Sequence, residues 1–373
     1  MHMHSIPTLI DAIRAGRIVV LVEDSEDDSE GVLVMAADAA TEASVNFMAR
    51  EARGLICLGL PEARCRELEL PPMVPSARQR TRFTVSIEAL HGVTTGISAA
   101  DRALTLQLAA APTTRAADLV QPGHIFPIMA ARDGVMRHAG FAEAACDLAH
   151  LAGHTAAGVV VSILDDDGES ARGPALVAFA KAHGLPIGSL TDLIHHRILT
   201  EGLIARTLER TINTSHGQFQ LVAYHDTIIN AVHTAMVRGD LSGEHCGDAP
   251  LVRVQGTEVL RDVLETDFSS GRRYWNARRA LQRIAQADRG VLVLLAHEDA
   301  SAEILQDIER YTVADTPRAP QFAQRMLGVG AQILRDLGIQ KMRLMSHSVP
   351  YRALAGFDLE VAEFVPFDGH AAS

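Results

Sequence analysis

A chain of 373 residues is longer than one ordinary hydrophobic core organises, so two domains are expected. Its 47% hydrophobic and 21% charged residues are the makeup of a water-soluble globular protein. A net charge of −12 excludes general nucleic-acid binding and sets the surface against anionic membranes. A single phosphorylated metabolite stays open, because a few local cations suffice to hold it.

The four cysteines, Cys57, Cys65, Cys146 and Cys246, are scattered without a CxxC pair, as expected of reduced thiols in a cytoplasmic protein. No apolar run approaches the ~20 residues that span a bilayer. The first residues, MHMHSIPTL, lack the basic-then-apolar pattern of a signal peptide.

In chain order, TLIDAIRAG reads as a short amphipathic helix and RIVVLVED as a buried strand. EASVNFMAREAR has helical apolar spacing, and GLICLGL follows as a strand. RFTVSIEAL is a strand; SAADRALTLQLAAA is a helix with Ser98 as its N-cap. HIFPIMAA (strand), FAEAACDLAHLAG (helix, stopped by Gly153), AGVVVSIL (strand), GPALVAFAKAHG (helix), LPIGSL (strand) and TDLIHHRI (helix) complete a first region. ILTEGLIARTLERTINTSHG reads as a junction. Beyond it, GQFQLVAYHD, PLVRVQGT, VLVLLAHE, KMRLMSH and DLEVAEFVPF read as strands, with helices over RRALQRIAQADRG and QRMLGVGAQILRDLGI. Alternation of this kind predicts two layered mixed domains, divided as 1–203 and 204–373.

One stretch carries unusual charge. After the apolar run Ile18 to Val22, the segment Glu23 to Glu30 packs six acids into eight residues with no base among them. Carboxylates at a strand end are a means of holding a hard divalent cation, and Asp24, Glu26 and Asp28 are the candidate ligands for Mg²⁺. A solvated acidic turn is the competing reading.

The phrases FMAREARGLICLGL, FTVSIEALHGVTTGISAADRA, QPGHIFP, AGFAEAACDLAHLAG and GLPIGSLTDLIHHR resemble 3,4-dihydroxy-2-butanone 4-phosphate synthase, from about residue 5 to 200. GVGAQILRDLGIQKMRLMS and GFDLEVAEFVPF resemble GTP cyclohydrolase II. The resemblance implies an α+β chain of the bifunctional riboflavin-biosynthesis type: a synthase-like layered domain followed by a cyclohydrolase II-like mixed α/β domain. It further implies a homodimer, or a heterodimer with an intact homologue, and a Mg²⁺-dependent lyase that converts ribulose 5-phosphate to dihydroxybutanone phosphate and formate.

The motifs that carry this chemistry are altered. The family's D-D-E-D-R-E-N-E-G-D reads Glu23 to Val32 here. Asp27 replaces an arginine, Asp28 a metal-binding glutamate and Val32 a substrate-binding aspartate. The family's R-x-G-H-T-E-A reads His138 to Ala144, so that Phe141 replaces the metal-binding histidine and Ala142 a phosphate-binding threonine. Arg137 lies beside His138, which takes the arginine position, and Ser162 replaces a catalytic glutamate. Cys57, Thr94, Thr95, Asp101, His124 and Glu143 match the family pattern. The resemblance therefore places Asp28, Cys57, Thr95, His124 and Glu143 as catalytic positions and Thr94, Arg137 and His138 as substrate-binding positions. Turn residues and buried polar pairs also hold a fold, which is the alternative for the matching positions. Arg78, Arg80 and Arg82 form a basic loop that could meet a phosphate.

In the second region the family binds zinc through three cysteines. The corresponding QGTEVLRDVLETDFSSGRRYWNARR contains none, Cys246 lies upstream of it, and no zinc is expected. The catalytic Asp-x-Arg reads Ala323, Gln324, Arg325. Three functions remain: a catalytically silent paralogue that binds or regulates, a synthase with a rebuilt site, or a different sugar-phosphate or nucleotide enzyme on the same scaffold.

Overall fold

The computed structural model describes residues 3–24, 28–74, 81–241, 249–266, 274–296, 304, 307–308, 320–346 and 359–367, with backbone alone at 320–325. It divides into two compact units, Met1–His196 and Arg197–Ser373.

The first unit is built on a mixed seven-stranded sheet. Its strands are β1 (Val19–Val22), β2 (Gly31–Ala36), β3 (Cys57–Pro61), β4 (Ile87–Ala89), β5 (Leu119–Ala130), β6 (Gly158–Ser162) and β7 (Ile187–Ser189), in the order β4-β5-β3-β6-β2-β1-β7. β1 and β2 are buried at every position, as their unbroken apolar runs require of central strands. They form a hairpin closed by the acidic turn, with Val22 opposite Gly31 and Glu23 N–H donating to Glu30 O at 3.1 Å. The helices include α1 (Ile6–Arg14), α2 (Glu42–Phe47), α3 (Glu62–Glu67), α4 (Ala99–Ala110), α5 (Phe141–Leu151), α6 (Pro174–His183) and α7 (Leu190–Thr200). Ser98 caps α4 by accepting from Asp101 N–H at 3.0 Å, as the sequence suggests.

Helix α5 lies close on the sheet because two strand glycines admit it. A Cβ at Gly59 of β3 would come within 2.7 Å of the Ala142 carbonyl, and one at Gly158 of β6 within 2.6 Å of Ala145. Backbone contact through glycine thus fixes the first turn of α5 over the middle of the sheet. Leu58, Val159, Leu33 and Met35 are fully buried in the core of the sheet.

The second unit carries another seven-stranded sheet: β8 (Ile204–Thr214), β9 (Gly217–Asp226), β10 (Ala231–Arg238), β11 (Leu251–Gly256), β12 (Gly290–Leu295), β13 (Lys341–Leu344) and β14 (Glu360–Phe364). Their order is β14-β13-β11-β12-β10-β9-β8, antiparallel from β8 to β12 and parallel from β12 through β11 and β13 to β14. Helices α8 (Ala277–Ala285) and α9 (Pro320–Asp336) are the crossovers of the parallel part. The segment expected to be a junction is β8, an edge strand exposed along most of its length. No helix among the described residues is long and apolar enough to cross a membrane.

Candidate functional site

Three groups of side chains in the first unit stand at the positions singled out in the sequence. The first is the acidic turn. Asp28 is exposed, and its carbonyl and carboxylate both accept from Arg172 Nη1, at 2.8 and 3.2 Å. Nη2 of the same guanidinium donates to Glu30 Oε1 at 2.6 Å. Arg172 thus fills the space between two carboxylates of the turn. Asp24 is half-buried. Glu26 and Asp27 lie outside the described residues. Next to the turn, Val32 of β2 and Ser162 of β6 are direct cross-strand partners, so two of the altered motif positions meet. Val32 is buried and Ser162 exposed.

The second group is the start of α5. Glu143, in the first turn, is only 5% exposed. Its Oε1 accepts from Ala131 N–H at 2.8 Å, and its Oε2 lies 3.2 Å from His138 Nδ1. Burial alone would raise the Glu143 pKa. The hydrogen bonds from His138 and the Ala131 N–H, with the imidazole's charge, outweigh it and hold the carboxyl below its usual range. The bond to Glu143 in turn raises the His138 pKa against the partial loss of solvent. Gly140 is required between them, because a Cβ there would fall against the Glu143 carboxylate and the His138 ring. Phe141 is half-buried, Ala142 is buried, and Arg137 is exposed.

The third group is the turn Thr94–Gly96 with His124. Asp101 gathers this turn: its Oδ2 accepts from Thr94 N–H (3.2 Å), Thr94 Oγ1 (2.9 Å) and Gly96 N–H (3.0 Å). Burial opposes the charge on Asp101, but the Thr94, Gly96 and Ser98 bonds prevail and lower its pKa. Thr94 and Thr95 are both exposed. On β5, His124 Nδ1 meets Glu88 Oε2 of β4 at 2.7 Å. Gly96 has φ +78° and packs on that same carboxylate so closely that any Cβ would overlap it. Glu88 therefore ties the His124 ring to the threonine turn. Glu88, Arg172 and Glu30 were not picked out from the sequence. Glu88 could have been, since it lies inside the quoted FTVSIEAL.

Cys57 stands at the start of β3 opposite Phe126 and Val160, and burial pushes its thiol up to about 12. It is a neutral, packed side chain at ordinary pH. Of the loop arginines, Arg82 lies 3.8 Å from Glu62, while Arg78 and Arg80 fall outside the described residues. Among the described residues, no three His, Cys, Asp or Glu side chains converge as a metal cage. Together the groups offer acid–base pairs in Glu143–His138 and Glu88–His124 and an exposed hydroxyl turn. In the acidic turn, Asp28 and Glu30 share the Arg172 guanidinium.

Comparison with known proteins follows the same division. The family model described as 3,4-dihydroxy-2-butanone 4-phosphate synthase matches residues 7–196, and that described as GTP cyclohydrolase II matches residues 205–366. A protein of Pseudomonas syringae pv. tomato named 3,4-dihydroxy-2-butanone 4-phosphate synthase is 47% identical, covering 99% of this chain and 100% of its own. The riboflavin biosynthesis protein RibBA of Aquifex aeolicus is 41% identical, covering 97% and 92%. Among solved structures, RibBX of A. baumannii, a two-domain 3,4-dihydroxy-2-butanone 4-phosphate synthase, superposes with a TM-score of 0.80 at 38% identity, covering 97% of this chain and 99% of that one. A further synthase structure, in complex with two magnesium ions, matches 54% of this chain and 99% of its own, with a TM-score of 0.50 at 38% identity.

Proposed function

Because this chain belongs to the 3,4-dihydroxy-2-butanone 4-phosphate synthase family, with a GTP cyclohydrolase II-like second half, we propose that it serves riboflavin biosynthesis as a synthase-like protein that binds or regulates rather than turns over ribulose 5-phosphate. The observation that carries this reading is Arg172 lying across Asp28 and Glu30. A relative's structure holds two magnesium ions. Here the residues do not fit a tightly held cation. The Asp28 and Glu30 carboxylates face the Arg172 guanidinium, the Glu143 carboxylate is committed to Ala131 and His138, and Phe141 has no lone pair to give. Without a cation to polarise a ketone and steady an enediolate, the surviving acid–base pairs lack the electrophile they would work with. Groups that act as a unit are not rescued by the survivors.

What remains is a surface suited to recognition. Thr94, Thr95, Arg137 and His138 are exposed and can meet a phosphorylated metabolite. The fold and its edges persist independently of turnover. Association as a homodimer, or as a heterodimer with an intact homologue, belongs to the same proposal and is read by co-purification from the native cell.

A second reading has its own support. Both acid–base pairs are in place, and relatives 44–47% identical over nearly the whole chain are named as synthases. In that reading Asp28, His124, Glu143 and the loop arginines form a rebuilt site. One assay separates the two: the purified full chain is incubated with ribulose 5-phosphate and Mg²⁺, and released formate is measured. The first reading expects none above background and no rescue of a riboflavin auxotroph. Formate at an ordinary enzymatic rate establishes the second.

A further inference from the structure

The second unit contains a buried charge cluster at the segment where the cyclohydrolase II pattern calls for zinc. A wide helical turn, Val259–Val263, follows β11. Arg261 on this turn is only 8% exposed, beside the equally buried Glu258 and the half-buried Asp262. Its Nη1 lies 3.2 Å from Glu258 Oε1 and its Nη2 2.8 Å from Asp262 Oδ2, while Nη2 also donates to the Gly256 carbonyl. Asp262 reaches further. Its Oδ1 accepts from Gln255 Nε2 at 2.8 Å and from Ala277 N–H at 2.9 Å, and its Oδ2 accepts from Glu258 N–H at 3.0 Å. Beside it, Arg253 donates to Gln255 Oε1 at 2.9 Å, to the Met345 carbonyl at 2.7 Å and to the Trp275 carbonyl at 3.4 Å. One connected network therefore ties β11, the 259–263 turn, the start of α8 and the end of β13.

The donor set does not suit zinc. From Pro250 to Gly290 the sequence has neither cysteine nor histidine. Among the described carboxylates there, Glu258 and Asp262 are spent on a guanidinium and on backbone N–H groups, and the exposed Glu265 accepts from Arg278. Zinc sites are built from thiolates and imidazoles, with a carboxylate as an occasional member. A guanidinium supplies what the bound ion otherwise would: positive charge at a point where several chain segments converge, with five directed donors.

We infer that Arg261 is a built-in cation standing in for the metal, so that the cyclohydrolase II-like unit holds its fold by an internal ion pair and needs no zinc. Asp262 behaves accordingly. Burial would raise its pKa, yet the Arg261 bond and charge, with the two backbone N–H groups, keep it ionised below the usual carboxylate range. The inference rests on the family assignment of this unit and is independent of whether the first unit turns over ribulose 5-phosphate. Formate release bears on that reading and leaves this one untouched.

The test uses the full chain purified without chelator. Elemental analysis is expected to find zinc far below one ion per chain, and EDTA is expected to leave the melting curve unchanged. Arg261→Met should lower the melting temperature of the second unit by roughly 6–20 °C, as loss of one member of a buried pair does. Arg261→Lys, which keeps the charge but loses the fork, should fall between the two and remains readable if the methionine variant does not fold. The double variant Glu258→Gln with Arg261→Met should lose less than the sum of its single variants, because the carboxylate no longer faces an absent partner. One zinc per chain, melting shifted by EDTA, or Arg261→Lys melting as wild type with additive single variants would each overturn the inference.

Discussion

Arg172 and Arg261 do the same thing in two places: each lays a guanidinium across two carboxylates, at segments where the motif resemblance implies a metal. Burial separates them. The Arg172 side chain is 45% exposed and its partner Asp28 is 94% exposed, whereas the Arg261 and Glu258 side chains are 10% and 5% exposed. An exposed pair gains little over water, while a buried one has given up its hydration and depends on its partner. The same pairing chemistry therefore lies at the solvent surface in one unit and becomes part of the core of the other.

The largest effect should come from the buried member. Replacing Arg261 by Met leaves Glu258 and Asp262 facing each other without a cation, at a cost of ~3–5 kcal/mol. Differential scanning calorimetry reads this as a shift confined to one transition, and a shift shared equally by both units would break the comparison. Next comes Gly96→Ala. The residue combines φ +78° with a carboxylate where the Cβ must go, so strain of ~1–3 kcal/mol is expected together with displacement of Glu88. The His124 ring loses its anchor, and its imidazole NMR chemical shifts should change at fixed pH. Unchanged ring signals would show that Glu88 does not position it.

A smaller effect sharpens the comparison by pH. Glu143 has a lowered pKa, so its contribution is full above the ordinary carboxylate value and is lost as pH falls through the lowered one. His138 has a raised pKa, so its contribution is full below the ordinary imidazole value and is lost as pH rises through the raised one. The pair is tightest between the unperturbed values of 4.5 and 6.5. His138→Gln should therefore destabilise most near pH 5.5, by at most about 1 kcal/mol because the ring is half exposed, and hardly at all near pH 9. A difference that grows with pH would refute the pairing.

These elements were unequally legible in the sequence. β1, α4 with its Ser98 cap, and α5 ending at Gly153 follow from apolar runs, a cap residue and a stop, all local signals. β8 read as a junction because an edge strand, paired with β9 alone among the described strands, can be polar on both faces, which leaves no alternation to detect. β2 was overlooked beside the acidic turn, and β10 because His233 interrupts its apolar pattern. The motif positions Asp28, His124 and Glu143 were visible by resemblance, but their partners were not. Arg172 lies 144 residues from Asp28 and reaches it through the bridge of Glu30 with Arg172. Arg261 sits in a charge-dense stretch that reads as solvated, and only the packing around β11 and α8 shows it to be buried.

The smallest stability effect belongs to Arg172, and it is the one that bears on function. Arg172→Gln removes an exposed pair, so its cost should stay under ~1 kcal/mol. The ligand consequence runs the other way. With the guanidinium gone, Asp28 and Glu30 are left as adjacent carboxylates with no cation between them, and a hard divalent ion gains by entering. Millimolar Mg²⁺ should then raise the melting temperature of the variant and leave wild type unmoved. An equal response in both proteins would mean that the arginine does not keep the ion out. Any weakness of cation binding that the proposal requires would then have to come from Phe141, which has no donor to offer whatever stands at residue 172.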